Sequence, residues 1–202
     1  MTIKVLGRVA VALGVMALAA PAAAQAAPPV WLSEGKPLPA GVVEKVATKG
    51  KLTLTVRAAT GAPITTIKCK VKDEEEIQNG PNGGTDEMTS FVLFGCKAKP
   101  SPCPTGVAPV LTAKNLPWRT ALEETPEKVI VDAIFGANIE VSCQGTTFED
   151  FFEGVLRPTV GASTLIFGPG SGSLHGTSGD SLEIQGVDKL KGPKGDKNIT
   201  AA

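Results

Sequence analysis

The residues best equipped for chemistry in this chain are four cysteines, one histidine and one run of acids. Cys96 and Cys103 bracket the stretch "GCKAKPSPC", and two of the residues between them are Lys and two are Pro. Such a pair could be redox-active, supply half of a metal site, or close a loop. A redox pair is expected as Cys-x-x-Cys beside a βαβ pattern, and neither is present. Zinc needs close Cys or His pairs, but His175 is the only His and no Cys pair has the spacing. Loop closure by a disulfide is the reading that remains. Cys69 in "TIKCKVK" and Cys143 in "NIEVSCQ" each share the apolar face of an alternating stretch, where inward cysteines on neighbouring strands can meet. The expected pairs are therefore Cys69–Cys143 and Cys96–Cys103, with the Pro residues favouring a bend in the shorter loop.

His175, in "SGSLHGTSGD", could serve as a general base towards Ser173, Ser178 or Asp180. The nucleophile elbow G-x-S-x-G is missing, so His175 reads instead as a strand-end residue beside a hairpin turn. "KDEEEIQNGPNGGTDE", Lys72 to Glu87, gathers six acids around Asn and Gly. Calcium favours such oxygens, yet the spacing fits neither an EF-hand loop nor a Gly-Gly-x-Gly-x-Asp repeat. Residues 73–87 are expected to form an exposed connection between strands. Trp31, Trp118 and His175 are the candidate contacts for a ligand or partner, although a Trp heading a short helix more often packs that helix on a sheet. The group Phe148, Phe151, Phe152 with Glu149, Asp150 and Glu153 reads as a core edge. Asn198-Ile199-Thr200 matches a glycosylation acceptor, which matters only in a eukaryotic host. No catalytic residue, metal ligand or cofactor is assigned.

The elements that must carry these residues read as strands. "GKLTLTVRA", "TIKCKVK" and "NIEVSCQ" alternate with period two. "SFVLFG" and "KVIVDAIF" are continuous apolar runs, expected to be covered on both faces. "ASTLIFG", "GSLHG" and "DSLEIQGV", separated by "GPGSG" and "TSG", read as hairpins, and Gly136 to Asn138 as another tight turn. "NLPWRTALEETPE" is the exception: Pro117, good helix formers and Pro126 predict one short helix, with Trp118 and Leu122 on its buried face.

The N-terminus sets the compartment. Lys4 and Arg8 precede an apolar run from Val9 to Ala20, and Ala24-Gln25-Ala26 fits a signal-peptidase site. The run is shorter than the roughly 20 residues of a spanning helix, and no later segment is long enough for one. Residues 1–26 are therefore read as a secretory signal peptide, 27–190 as one disulfide-bonded β domain and 191–202 as a flexible polar tail. Without the leader, eighteen Lys and Arg face twenty Asp and Glu, a net charge of −2. That balance argues against nucleic acid and anionic membranes as partners. Tyr is absent, which removes the usual platform residue of sugar and protein interfaces.

The Trp31 start, Cys69, the Cys96 to Cys103 loop, Pro117-Trp118, Cys143 and the ending "LEIQGVDKLKG" resemble a group of uncharacterised secreted proteins of soil actinobacteria. The resemblance implies a secreted, single-domain protein and lends no functional residues. The expectation is an all-β antiparallel sandwich or barrel with one short helix and two disulfides. Its expected role is that of an exported, non-catalytic binding or cell-envelope-associated protein. The alternatives are a small-ligand carrier with an apolar cavity in a β-barrel and, third, a secreted enzyme without a recognisable motif. A filled sandwich core would favour the first reading and a roomy apolar barrel the second.

Overall fold

The computed structural model describes residues 27–147, 149–192 and 198–202. The expected signal peptide, residues 1–26, lies outside the described residues, as does Phe148. The fold is all-β and antiparallel, with strands and no helix among the described residues. Strand β3 (Val43–Arg57) pairs with β4 (Pro63–Gly80), and β4 with β5 (Gly83–Lys99). Next come β6 (Pro109–Ala113) and β7 (Trp118–Glu124), two pieces of one broken stave between β5 and β8 (Ile130–Cys143). Strands β9 (Glu149–Leu156) and β10 (Thr159–Gly161) form the following stave, and β11 (Thr164–Phe167) and β12 (Ser173–Gly176) the one after. Both pieces of that last stave pair with β13 (Ser181–Lys191), which returns to β3 along its whole length. The pairing closes into a ring of eight staves, each beside its neighbour in sequence: an up-and-down barrel. A barrel of that size is just wide enough for side chains, or one small ligand, to fill it.

Alternation decides what points inward. On β4, Thr65, Ile67, Cys69, Val71, Asp73, Glu75, Ile77 and Asn79 are all buried, while Lys68, Lys70, Lys72 and Glu74 are exposed. Leu52, Leu54 and Val56 of β3 face Leu182 and Ile184 of β13, and with Phe152, Ile139 and Leu174 they fill one half of the barrel with apolar side chains. A second, three-stranded sheet of β1 (Trp31–Ser33), β2 (Lys36–Pro37) and β14 (Ile199–Ala201) covers the other end. Asn79 pins it: its side-chain amide accepts from Trp31 N at 2.8 Å and donates to Trp31 O at 2.9 Å and to Leu38 O at 3.0 Å.

Several expectations are corrected. The expected helix is strand β7, in which Trp118, Thr120 and Leu122 point inward and Arg119 outward. Pairing with strands on both sides outweighs the helix propensity of "ALEE". Gly136 lies within β8, at a register shift between Ile134 and Ala137, so the expected tight turn is a bulge. "SFVLFG" is covered on one face only: Phe91 and Leu93 are buried, Val92 and Phe94 exposed. The "polar tail" ends in β14, with Ile199 fully buried against the barrel cap. The disulfides are Cys69–Cys96 and Cys103–Cys143, with Cα atoms 4.2 and 5.6 Å apart, in place of Cys69–Cys143 and Cys96–Cys103. Cys96 lies on the strand next to Cys69, whereas Cys143 ends β8, within reach of the loop that carries Cys103. Two disulfides fit an oxidising, extracytoplasmic environment, and no helix among the described residues is long and apolar enough to cross a membrane.

Candidate functional site

The mouth of the barrel, opposite the cap, is where strand ends converge. Val56 closes β3, Ile64 and Thr65 open β4, Val141 nears the end of β8, Asp150 and Phe152 open β9, and Asp180 precedes β13. With Pro102 these residues line a pocket of about 280 Å³. The lining is apolar apart from Thr65, Asp150 and Asp180. Pro102 arrives on the 100–108 loop, which two ties hold over the mouth: the Cys103–Cys143 disulfide and a 2.6 Å hydrogen bond from Thr65 Oγ1 to the carbonyl of Pro100. The stretch "GCKAKPSPC" is thus architectural, but it shapes the pocket.

Asp150 stands directly across from Val141 and so shares the inward face of β8 and β9. Asp180 lies beside it, its backbone carbonyl accepting from Gly176 N at 2.8 Å and its carboxyl from the Ser178 hydroxyl. A side chain on Gly176 would place a Cβ 2.8 Å from Asp180 Oδ1 and 3.1 Å from Phe152 Cε1, so only glycine lets the Asp180 carboxyl rest against that ring. Partial burial, and then the charge and hydrogen bond of Asp180, push Asp150 up to about 6. A pocket that is apolar except for two interacting carboxyls can hold a small molecule with an apolar body and one polar end.

The second concentration of acids is internal. Asp73 and Glu75 of β4, Asp86 of β5, Asp132 of β8 and Asp188 of β13 all point into the capped half of the barrel. Among the described residues no Lys, Arg or His is a buried side chain there. Thr120 donates to Asp86, while the carboxyl oxygens of Glu75 and Asp188 have no hydrogen-bond partner among the described residues. Burial pushes Asp73 and Asp132 up to about 7 and Asp188 to about 8. Glu75 and Asp86 are driven well above the carboxyl range by burial and by the neighbouring acids. The expected exposed connection at 73–87 is therefore two long strands and a tight turn at residues 80–83, with three of its six acids inside the barrel. Among the described residues no three His, Cys, Asp or Glu come together closely enough to hold a metal ion.

The candidate contacts named from the sequence scatter. Trp31 is fully buried in the cap, and Trp118 is buried beside Phe91 with ring centroids 5.3 Å apart and its Nε1 donating to Lys114 O at 2.8 Å. Both are packing residues, and neither lines the mouth. His175 is exposed on the outer face of β12, across from Glu153 and Ser181. The structure brings together none of these three. Asp150 and Asp180 line the pocket; the sequence groups Asp150 with a core edge and offers Asp180 only as a partner of His175 beside a hairpin turn. The one cue was phase: Asp150 stands two residues before Phe152 on the same face of a strand. A broader cleft of about 470 Å³ runs between residues 168–173 and 183–185, but its one cation, Arg57, is held by Glu183 at 2.9 Å and by the Gly61 carbonyl at 3.1 Å.

No protein-family model matches this chain, and no curated protein or solved structure does either.

Proposed function

We propose that this chain is an exported, non-catalytic binding protein that takes a small ligand in the mouth of its barrel. The observation that carries the reading is the apolar pocket of about 280 Å³ framed by Val56, Ile64, Pro102, Val141 and Phe152. Export is supported by the leader-like N-terminus and by two disulfides. The resemblance to secreted proteins of soil actinobacteria points the same way. Ligand capacity rests on the mouth and not on the deep interior, whose upper half is filled by its own side chains. The pocket falls just below the roughly 300–1,000 Å³ of drug-sized sites, so the ligand is small.

The test is a titration of the mature chain with short n-alkyl probes, followed by amide NMR. Saturable shifts clustered at Val56, Thr65, Val141 and Phe152, and weakened by Ile64→Glu at the exposed rim, are the expected result. Shifts scattered over the surface, or none at any probe, would favour an envelope-associated module that binds through another face.

A further inference from the structure

We propose that the mouth pocket selects small apolar amines, seating the ammonium group between Asp150 and Asp180 while the hydrocarbon lies against Val56, Val141 and Phe152. This rests on the reading of the mouth as a ligand site and names the ligand class. The argument is charge complementarity in a confined place. The two carboxyls line one pocket that is otherwise mostly apolar, close enough to interact, with Asp150 partly buried. None of the ion pairs among the described residues includes either one. The nearest cation of the lining strands, Arg57, is engaged by Glu183 and the Gly61 carbonyl. The exposed lysines of β4 lie on the opposite face of their strand from Thr65. A primary ammonium supplies the missing charge, and its three N–H donors suit two neighbouring carboxyls. Apart from the acids, the lining offers a ligand only hydrocarbon and the Thr65 hydroxyl, which is committed to Pro100, while Ser178, outside the lining, donates to Asp180. An alcohol would satisfy one carboxyl and leave the repulsion in place; a carboxylate would add to it.

The experiment compares hexylammonium, hexanol and hexanoate by calorimetry at pH 7.5, on wild type, Asp150→Asn, Asp180→Asn and the double variant. The expected order is ammonium first by about tenfold over hexanol, hexanoate last, with the double variant reducing the amine to the alcohol's affinity. Thermal melts of each variant show whether the fold is intact, and hexanol binding retained by the double variant shows that the pocket survives. Hexanol binding as tightly as the amine overturns the amine inference while leaving the mouth as a ligand site. Failure of all three probes overturns both.

Discussion

Cys103 and Cys143 tie the 100–108 loop over the mouth to the end of β8, and Cys69 and Cys96 staple two neighbouring staves. Peptide mapping of unreduced protein should recover Cys69–Cys96 and Cys103–Cys143; a Cys96–Cys103 peptide would refute the arrangement. By chain entropy, closures of 27 and 40 residues correspond to roughly 3.5 and 4 kcal/mol. The Cys103→Ser, Cys143→Ser double variant should thus lose stability and also loosen the pocket, which the Cys69, Cys96 pair should not. Trp118 is the other residue on which much rests. Its ring packs on Phe91 and lies opposite Met88 in the β5–β7 ladder, its indole nitrogen is satisfied by Lys114, and it is almost fully enclosed. Trp118→Ala should cost about 3–5 kcal/mol in chemical denaturation. A cost under about 1 kcal/mol, with ready quenching of its fluorescence by iodide, would show that the ring is not enclosed.

At the level of elements, the cap depends on one missing side chain. A Cβ at Gly84 would lie 2.6 Å from Leu122 Cδ1 and 2.8 Å from Trp31 Cδ1, so the cap tryptophan packs where β5 has no side chain. Gly84→Val should overpack that contact and cost roughly 1–3 kcal/mol, with amide exchange rising first in β1, β2 and β14. Uniform exchange across the barrel and cap would mean that the cap is not a separate element. The same strands show what could be read beforehand. Strands β3, β4 and β13 are visible as alternation because one face meets water. Asp73 and Glu75 continue the phase of Ile67, Cys69 and Val71 without a break, but charge and the nearby Gly-rich turn suggest a solvated loop, and only the closed ring reveals that their face is interior. Strand β7 was hidden for the opposite reason. Its Trp118 and Leu122 lie four apart, a spacing that suits one face of a helix or of a strand, and partners from β5 and β8 made the choice. Disulfide partners were illegible because matched inward faces do not tell which strands are adjacent. Asp150 and Asp180, thirty residues apart, meet only when β9, β12 and β13 are laid side by side.

For the whole molecule, the division of the barrel into an apolar half and a capped acidic half makes stability a function of pH. Asp73, Glu75, Asp86, Asp132 and Asp188 face one another across β4, β5, β8 and β13, and among the described residues the remaining walls and cap add Thr48, Thr120, Trp31, Leu165 and Ile199 but no buried cation. Such carboxyls are best accommodated protonated. In the unfolded chain they titrate near 4, whereas burial places Asp73 and Asp132 at about 7 and Asp188 at about 8. Between those values the native state binds more protons than the unfolded one, so raising the pH favours unfolding. The stability these groups permit is fully present below about pH 4 and is lost as pH climbs through 7 and 8. Asp150 at the mouth, raised to about 6, acts in the same direction from its more exposed position. Between pH 5 and pH 9 the wild type should lose at least about 3 kcal/mol, equivalent to a fall in Tm of roughly 6–12 °C for a chain of this size. Asn imitates a protonated Asp in shape and carries no charge, so Asp132→Asn with Asp188→Asn should keep most of the stability at pH 5 and flatten the slope above it. Denaturant titrations at pH 5, 7 and 9 measure both slopes. A wild type whose stability holds level or rises towards pH 9 would mean that the buried acids are neutralised by something other than protons.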